Sequence, residues 1–287
     1  MLKYGWVVVG ILSSACAAAA QESTCSITEQ PREISTDVRE TSGLAVGRRN
    51  PNVLWTHNDS GNRPEVFAIT PDGQVRARVA IEGAALTDWE DIDIGPCGTD
   101  SCLYIADIGD NFGRRQTVRI YEVVEPAVPA GSARVARLME ASYPDGPQDA
   151  EAFFRLPSGD IYVVTKGRQK SVKVYRWSAA GSNGRGALEL VREILPQAKD
   201  ERDRVTAATA SPNGELIAIR TYRTLYIYRT SDLLGSGAPR VTFALDPVRE
   251  KQGEAVTLDD NGRIWMSSEA ENKRDKPTLA QLTCKIL

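Results

Sequence analysis

The chain has little of what most metal and catalytic sites are built from. Its 287 residues include a single histidine, His57, and no Cys-x-x-Cys pair, so the usual zinc ligand sets are missing. Lysine and arginine (35) are outnumbered by aspartate and glutamate (38), and no long basic run occurs, which argues against a nucleic-acid partner. No complete catalytic motif, low-complexity tract or linker is found. The sequence therefore predicts a fold more readily than an activity.

Residues 1–20 have the pattern of a signal peptide, and residues 21–287 form the predicted domain. Lys3 provides a positive start, Trp6 to Leu12 an apolar run too short to span a bilayer, and Ala18-Ala19-Ala20 a cleavage site. No later stretch is apolar and long enough for a membrane helix. We expect an exported protein, periplasmic or secreted, that is not transmembrane. The alternative is lipid anchoring at Cys16, for which the three preceding residues make a poor lipobox.

A repeated segment is the most informative positive feature. Each copy opens a short apolar run that is followed by a turn and by further runs rich in aromatic and β-branched residues. The spacing of about 50 residues is typical of propeller blades. The sequence therefore predicts an all-β fold, a single β-propeller of five blades, with six blades as the alternative. The copies are Ser42–Ala45, Trp89–Ile92, Ala150–Phe153, Thr206–Thr209 and Gly253–Val256.

The last repeat has residues for only three strands, whereas the others have four. We predict that Ser26 to Ile34 returns from the N-terminus as the missing strand, so that pairing of the first and last strands closes the ring. Four cysteines remain after the signal peptide, an even count that suits an oxidising compartment. Ring closure would place Cys25 beside Cys284, and Cys97 and Cys102 flank a short loop. These are the two predicted disulfides.

Candidate site residues follow from the antiparallel order of strands in a blade. The first strand begins at the same end of the sheet at which the second strand ends, so residues from both gather on one face of the channel. Ser42, Glu90, Glu151, Thr206 and Glu254 begin the first strands. The predicted ligand-binding set on this face is His57, Asn58, Asp59, Trp89, Asp110, Asn111, Lys166, Arg220 and Glu269.

Three glutamates that converge on one axis repel one another unless they are protonated, paired with cations or bound to a metal. Calcium accepts six to eight oxygen ligands, and carboxylates are suitable donors. The alternative is that Lys166, Arg220 or loop amides pair with the glutamates and simply organise the blade entrances. The predicted metal ligands are Glu90, Glu151, Glu254 and Asp107, with Asn58 as a further oxygen donor.

His57 is the one side chain that titrates near neutral pH without help, which makes it a candidate general base beside Asp59 or Asp107. A lone histidine at a strand end is also a common structural residue. The acidic loops that follow the second strands of the first two repeats have turn composition as well as possible ion ligands. Trp89 could stack on a ring-shaped ligand or simply pack in the core.

Several segments carry a resemblance to secreted bacterial β-propeller proteins of the WD40-like or NHL-like kind. The resemblance covers most of the mature chain and implies the fold and export, but it brings no established catalytic residue. The chain is also similar, more weakly, to calcium-dependent propeller hydrolases such as lactonases and propeller phytases, whose channel carboxylates bind metal. The segments are Glu40–Ala45, Leu54–Gly61, Asp88–Ile92, Leu103–Asn111, Tyr143–Gly146 and Asp149–Ala152.

Two functional hypotheses result. The first is an exported, monomeric binding or interaction module that holds a small molecule, a glycan or a protein on the channel face, stabilised by calcium. The second is a calcium-dependent hydrolase of lactones, esters or phosphoesters, in which the metal polarises the substrate oxygen and His57 or an acidic neighbour moves the proton.

Overall fold

The computed structural model describes residues 24–177 and 185–286. The predicted signal peptide and Cys16 lie outside these ranges. Strands dominate the described chain, and its one α-helix, α1, is short (Thr230–Leu234). No helix among the described residues is long and apolar enough to cross a membrane. The all-β prediction is confirmed.

The described strands fall into five antiparallel groups of four, called units 1 to 5 below. Unit 1 contains β2 (Thr41–Val46), β3 (Leu54–Asn58), β4 (Glu65–Ile69) and β5 (Val75–Glu82). Unit 2 contains β6 (Trp89–Cys97), β7 (Asp100–Asp107), β8 (Val118–Val124) and β9 (Ser132–Ser142). Unit 3 contains β10 (Ala150–Arg155), β11 (Ile161–Thr165), β12 (Val172–Trp177) and β13 (Arg185–Leu195). Unit 4 contains β14 (Val205–Ala210), β15 (Leu216–Thr221), β16 (Thr224–Arg229) and β17 (Val241–Ala244). Unit 5 contains β18 (Gln252–Leu258), β19 (Arg263–Glu269), β20 (Thr278–Lys285) and β1 (Thr24–Glu33).

The first strands of the units lie side by side in the cyclic order β2, β6, β10, β14, β18 and back to β2. Contacts between them are made by packing, because the hydrogen bonds do not close the sheets into a ring. Short parallel pairings of β9 with β5 and with β13 join units 1, 2 and 3 at their outer strands. The result is a propeller-like arrangement, and the central region that the first strands surround is called the channel below.

Burial explains why the first strands β2 and β14 are continuous runs of small or apolar, uncharged residues. All six residues of β14 are buried, and β2 and β10 are buried except at their last residue. Strand β9, at the outer edge of unit 2, alternates and is largely exposed. A strand that is covered on both faces has no side available for charged residues, so a polar group found there needs a partner.

The two chain ends meet in unit 5. Strand β1 pairs antiparallel with β20, with Cys25 opposite Cys284, and a disulfide joins these two cysteines. A second disulfide joins Cys97 to Cys102 across the hairpin between β6 and β7. Both predicted disulfides are therefore present, and they suggest an oxidising, exported environment.

A buried aspartate links three first strands at the centre of the molecule. The carboxylate of Asp91 accepts backbone N–H hydrogen bonds from Ile92 in its own strand, from Phe153 in β10 (3.2 Å) and from Ala208 in β14 (3.4 Å). The first strands also approach closely: Gly43, at φ +67°, faces the backbone of Asp91 and Ile92, where a Cβ atom would clash. These contacts fix the position of the preceding residue, Glu90.

Candidate functional site

A cavity of about 80 Å³, called the acidic cavity below, lies at the end of the channel where the first strands begin. Six carboxylates line it, and Lys166 is the one cationic side chain among its lining residues. The lining residues are Glu40, Ser42, Asp59, Glu90, Asn111, Glu151, Lys166, Tyr222, Gln252, Glu254 and Glu269. Negative charge in the cavity therefore exceeds positive charge.

A β-bulge places each of the three predicted glutamates in the cavity. The pairing register shifts between Trp89 and Asp91, between Ala150 and Ala152, and between Gly253 and Ala255, so Glu90, Glu151 and Glu254 are the extra residues. An extra residue breaks the strict alternation of a strand and re-aims a side chain. The same shift occurs in unit 4 around Thr206, between Val205 and Ala207. The repeated segment in the sequence is thus a repeated bulge.

In units 1 and 4, where the glutamate is replaced, a hydroxyl group ties neighbouring units together. Ser42 Oγ donates a hydrogen bond to the backbone oxygen of Glu90 at 2.5 Å. Thr206 Oγ1 donates in the same way to the backbone oxygen of Gly253 at 3.0 Å. The two positions that lack a carboxylate therefore help to hold two of the glutamates in place.

Two of the three glutamates have side-chain partners. Glu151 forms an ion pair with Lys166 at the end of β11. Burial lowers the pKa of Lys166, but the charges of Glu151 and Glu90 outweigh it and leave that pKa raised. Glu254 accepts hydrogen bonds from Tyr222 Oη (2.9 Å) and Gln252 Nε2 (3.0 Å). The single lysine is thus committed to Glu151.

Glu90 is different, because its carboxylate makes no hydrogen bond and no ion pair with any residue in the described ranges. The residue is only 3% exposed. Burial, followed by the charges of Glu151, Asp59 and Asp88, raises its pKa well above the usual value. The loop after β7 packs against this carboxylate at Gly109, where a side chain would collide with Glu90 Oε1. A buried carboxylate without a partner must hold a proton or meet a cation.

Asp59, Asp88 and Glu90 form the tightest group of acidic residues. One carboxylate oxygen from each lies within 4.8 Å of the others. Burial raises the pKa of Asp59 to about 6 and also raises the pKa of Asp88. Oxygens that bind one calcium ion at about 2.5 Å lie within about 5 Å of each other. The donor set and spacing therefore fit a single calcium ion.

Several predicted residues lie beside the acidic cavity rather than in its lining. Asp107 forms an ion pair with Arg115 (2.8 Å) and also accepts the N–H of Asp88. Asp110 accepts the backbone N–H groups of Arg114 and Arg115, which orders the loop after β7. Asn58 accepts the N–H of Glu40 and donates to Asp37 O. These side chains support the loops that carry the lining residues.

His57, Trp89 and Arg220 are buried outside the cavity lining. His57 packs edge-on against Trp89, with ring centroids 5.7 Å apart, and burial lowers its pKa to about 4. Trp89 Nε1 donates to Ala85 O. Arg220 forms an ion pair with Glu250 and donates to Ala255 O. A neutral buried histidine and two packed side chains have the contacts of structural residues.

Sequence reasoning missed Glu40, Asp88 and Gln252 as site residues. They lie two positions before Ser42, Glu90 and Glu254 respectively. Glu90 and Glu254 are bulge residues, whereas in unit 1 the register shift follows Ser42, which pairs with His57. The repeats share this second acidic or polar position when they are aligned from two residues further towards the N-terminus. Asp59 follows β3 of unit 1, and Asp88 precedes β6 of unit 2. Their closeness therefore depends on how units 1 and 2 pack against each other.

Comparison with known proteins bears on the fold alone. No family model and no curated protein sequence matches this chain. Among solved structures it is similar to the PQQ-bound form of aldose sugar dehydrogenase (Adh) from Streptomyces coelicolor. The TM-score is 0.55 at 9% sequence identity, and the match covers 92% of this chain and 99% of that chain. The chain therefore shares a propeller-type fold with that enzyme.

Proposed function

We propose that this chain is a five-bladed propeller that is exported, and that it binds a divalent cation, calcium, in the acidic cavity as part of a ligand site on the channel face. The observation that carries this proposal is the buried, unpartnered carboxylate of Glu90 beside Asp59 and Asp88. The five units then correspond to five blades. Strand β1 completes the last blade, which supports the closure predicted from the sequence.

Charge balance supports a cation. Six carboxylates line the cavity with one lysine, and that lysine is paired with Glu151. A divalent cation would let Asp59, Asp88 and Glu90 ionise together, which burial and mutual repulsion otherwise oppose. Bound calcium would supply positive charge and accept further oxygen ligands from a small molecule, a glycan or a protein. Asn111 and Tyr222 line the same cavity and would orient such a ligand by hydrogen bonding.

The first test is calorimetric titration of calcium into the chelator-treated mature protein. We expect binding to the wild type and a loss of affinity of about tenfold or more in Glu90→Gln, which keeps the side-chain shape but removes the charge. Glu189→Gln is the matched control, because Glu189 is exposed on β13, away from the cavity lining. Equal affinity in Glu90→Gln and the control, or no binding to the wild type, would refute the calcium site.

The raised pKa values predict how stability depends on pH. Burial, followed by the charge of Glu254, raises the pKa of Glu269 from 4.5 to about 9, so the folded protein holds a proton that the unfolded chain releases. A group of this kind stabilises the fold at low pH, and its contribution is lost as the pH rises towards the folded pKa. In the absence of calcium, the melting temperature should therefore decrease as the pH is raised from about 5 to about 9, the range between the unfolded and folded pKa values of Glu269.

Thermal unfolding measured across this pH range checks the prediction. Calcium should flatten the decline, because it replaces the protons, and Glu269→Gln should reduce the slope without calcium. A melting temperature that stays level or rises with pH in chelator would show that the carboxylates are neutralised in another way.

The hydrolase hypothesis has less support from the site. His57 is buried outside the cavity lining, and its lowered pKa leaves it neutral at pH 7. Asp59, with a pKa raised to about 6, is a cavity carboxylate that could exchange a proton near neutral pH. Turnover of a lactone, ester or phosphoester that requires calcium and is lost in Asp59→Asn would favour the enzyme. Calcium binding without turnover of any member of the panel favours the binding module.

A further inference from the structure

The other end of the channel carries a second cavity, of about 250 Å³, called the far cavity below. Each of the five units contributes residues to it, from the region where its first strand ends. These residues fall in the segments 46–48, 93–96, 155–157, 209–212 and 257–259. The far cavity thus lies on the channel axis, at the opposite end of the first strands from the acidic cavity.

The charged groups of the far cavity differ from those of the acidic cavity. Two arginines, Arg48 and Arg155, line it, and no glutamate does. Of its two carboxylates, Asp259 is paired with Arg263. Asp93 accepts backbone N–H hydrogen bonds from Ile94 (2.7 Å) and Arg155 (3.0 Å), so each of its oxygens already has a donor. Arg263, outside the lining, offsets the charge of Asp259, and Asp93 interacts electrostatically with both Arg48 and Arg155. With Arg263 counted, three guanidinium groups face two carboxylates, which leaves one positive charge in excess.

The arginine donors are largely uncommitted. The Arg48 side chain makes no hydrogen bond or ion pair within residues 24–177 and 185–286. The Arg155 guanidinium stacks on the ring of Tyr104, 4.8 Å from its centroid, and donates one hydrogen bond to Pro96 O at 3.1 Å. Stacking holds this guanidinium in place and leaves other N–H groups for a ligand. A guanidinium has five N–H donors in a planar fork that matches a carboxylate.

A threonine hydroxyl in the lining also has no hydrogen-bond partner among the described residues. Thr257 is 5% exposed and lines the far cavity, and its side-chain hydroxyl makes no hydrogen bond with the described residues. Buried polar groups are nearly always hydrogen-bonded, so an unpaired hydroxyl at a cavity wall points to a ligand or to water. Much of the remaining wall is apolar and includes Val46, Ile94, Pro157 and Leu258.

We infer that the far cavity is a second ligand site, which binds a small organic acid by its carboxylate at Arg48 and Arg155 and by its hydrocarbon part against the apolar wall. Thr257 supplies a further hydrogen bond. The volume is somewhat below the usual range for drug-sized ligands, about 300 Å³ and more, which limits the ligand to a small acid. This site is independent of the calcium site, because the two cavities share no lining residue.

Saturation-transfer NMR on the mature protein tests this inference with two acids, benzoate and hexanoate, and with their uncharged amides, benzamide and hexanamide. We expect at least one acid to bind, and its amide to bind about tenfold more weakly, because a charge-assisted hydrogen bond is lost. Arg48→Gln should lower the affinity for the acid by a similar factor, and Thr257→Val should lower it by less. Arg137→Gln, which alters an exposed arginine on β9, should change nothing.

Three outcomes would overturn the inference. They are no signal from either acid at millimolar concentration, equal binding of acid and amide, and equal effects of Arg48→Gln and Arg137→Gln. The NMR measurements are made once with chelator and once with calcium. Binding of the acid at the far cavity is thereby judged separately from binding of metal at the acidic cavity. The circular dichroism spectrum and melting temperature of each variant show whether a lost signal reflects unfolding.

Discussion

Removal of the disulfide between the chain ends, by Cys25→Ala with Cys284→Ala, is expected to lower the free energy of unfolding by about 5 kcal/mol. This bridge spans 259 residues of sequence. The chain-entropy model assigns the stabilisation to the unfolded state, in which a cross-link of that length excludes most extended conformations. The same two cysteines lie opposite each other where β1 pairs with β20, so the bridge also locks the strand that completes unit 5.

The second disulfide is the control. Cys97 and Cys102 are five residues apart, so Cys97→Ala with Cys102→Ala should cost only about 2 kcal/mol by the same model. Urea unfolding of both double variants and the wild type gives the comparison. Equal losses for the two pairs would show that local packing, and not loop length, sets the contribution of the terminal bridge.

Arg220→Met is expected to destabilise the protein by about 3 to 5 kcal/mol, the usual range for breaking one side of a buried ion pair. Arg220 is fully buried, and the side chain of its partner, Glu250, is 5% exposed. Methionine fills much of the volume but leaves the Glu250 carboxylate without its cation. It also removes the donor to Ala255 O in the first strand of unit 5. Urea unfolding is the measurement.

The double variant Arg220→Met with Glu250→Gln separates charge from packing. Removing both charges should recover part of the lost stability, because an uncharged glutamine tolerates burial better than an unpaired carboxylate. Calcium affinity of folded Arg220→Met should stay close to that of the wild type, since Arg220 does not line the acidic cavity. A large loss of affinity with little loss of stability would instead restore Arg220 to the ligand-binding set.

The strands could be predicted from the sequence because their signal is local. Short runs rich in Val, Ile, Tyr and Phe predict strands at Leu216 to Arg220 and at Leu225 to Arg229. The structure has β15 at Leu216–Thr221 and β16 at Thr224–Arg229, within one residue of these bounds. A strand at Ser26 to Ile34 is predicted because the last repeat has residues for only three strands. The structure has it at Thr24–Glu33. The disulfide between Cys25 and Cys284 follows from the pairing of this strand with the last strand of the chain.

The site was predicted less completely, because its partnerships link different units. Glu90, Glu151 and Glu254 look equivalent in the sequence, yet Lys166 pairs with Glu151 and leaves Glu90 without a partner. Which glutamate forms the ion pair with Lys166 depends on distances between units, and no local sequence pattern encodes these distances. Arg220 is a further case, since its partner, Glu250, is thirty residues away along the chain.

The sequence by itself determined the repeat, the strands, the closing pair of cysteines and the gathering of carboxylates at one end of the channel. Tertiary structure alone decided which carboxylates are buried without a partner and that Arg48 and Arg155 line one cavity at the other end. The physical reason is that strand formation depends on neighbouring residues, whereas charge balance depends on desolvation and on groups brought together from different units. The bulge connects the two levels: one extra residue, repeated in the sequence, turns Glu90 towards the channel.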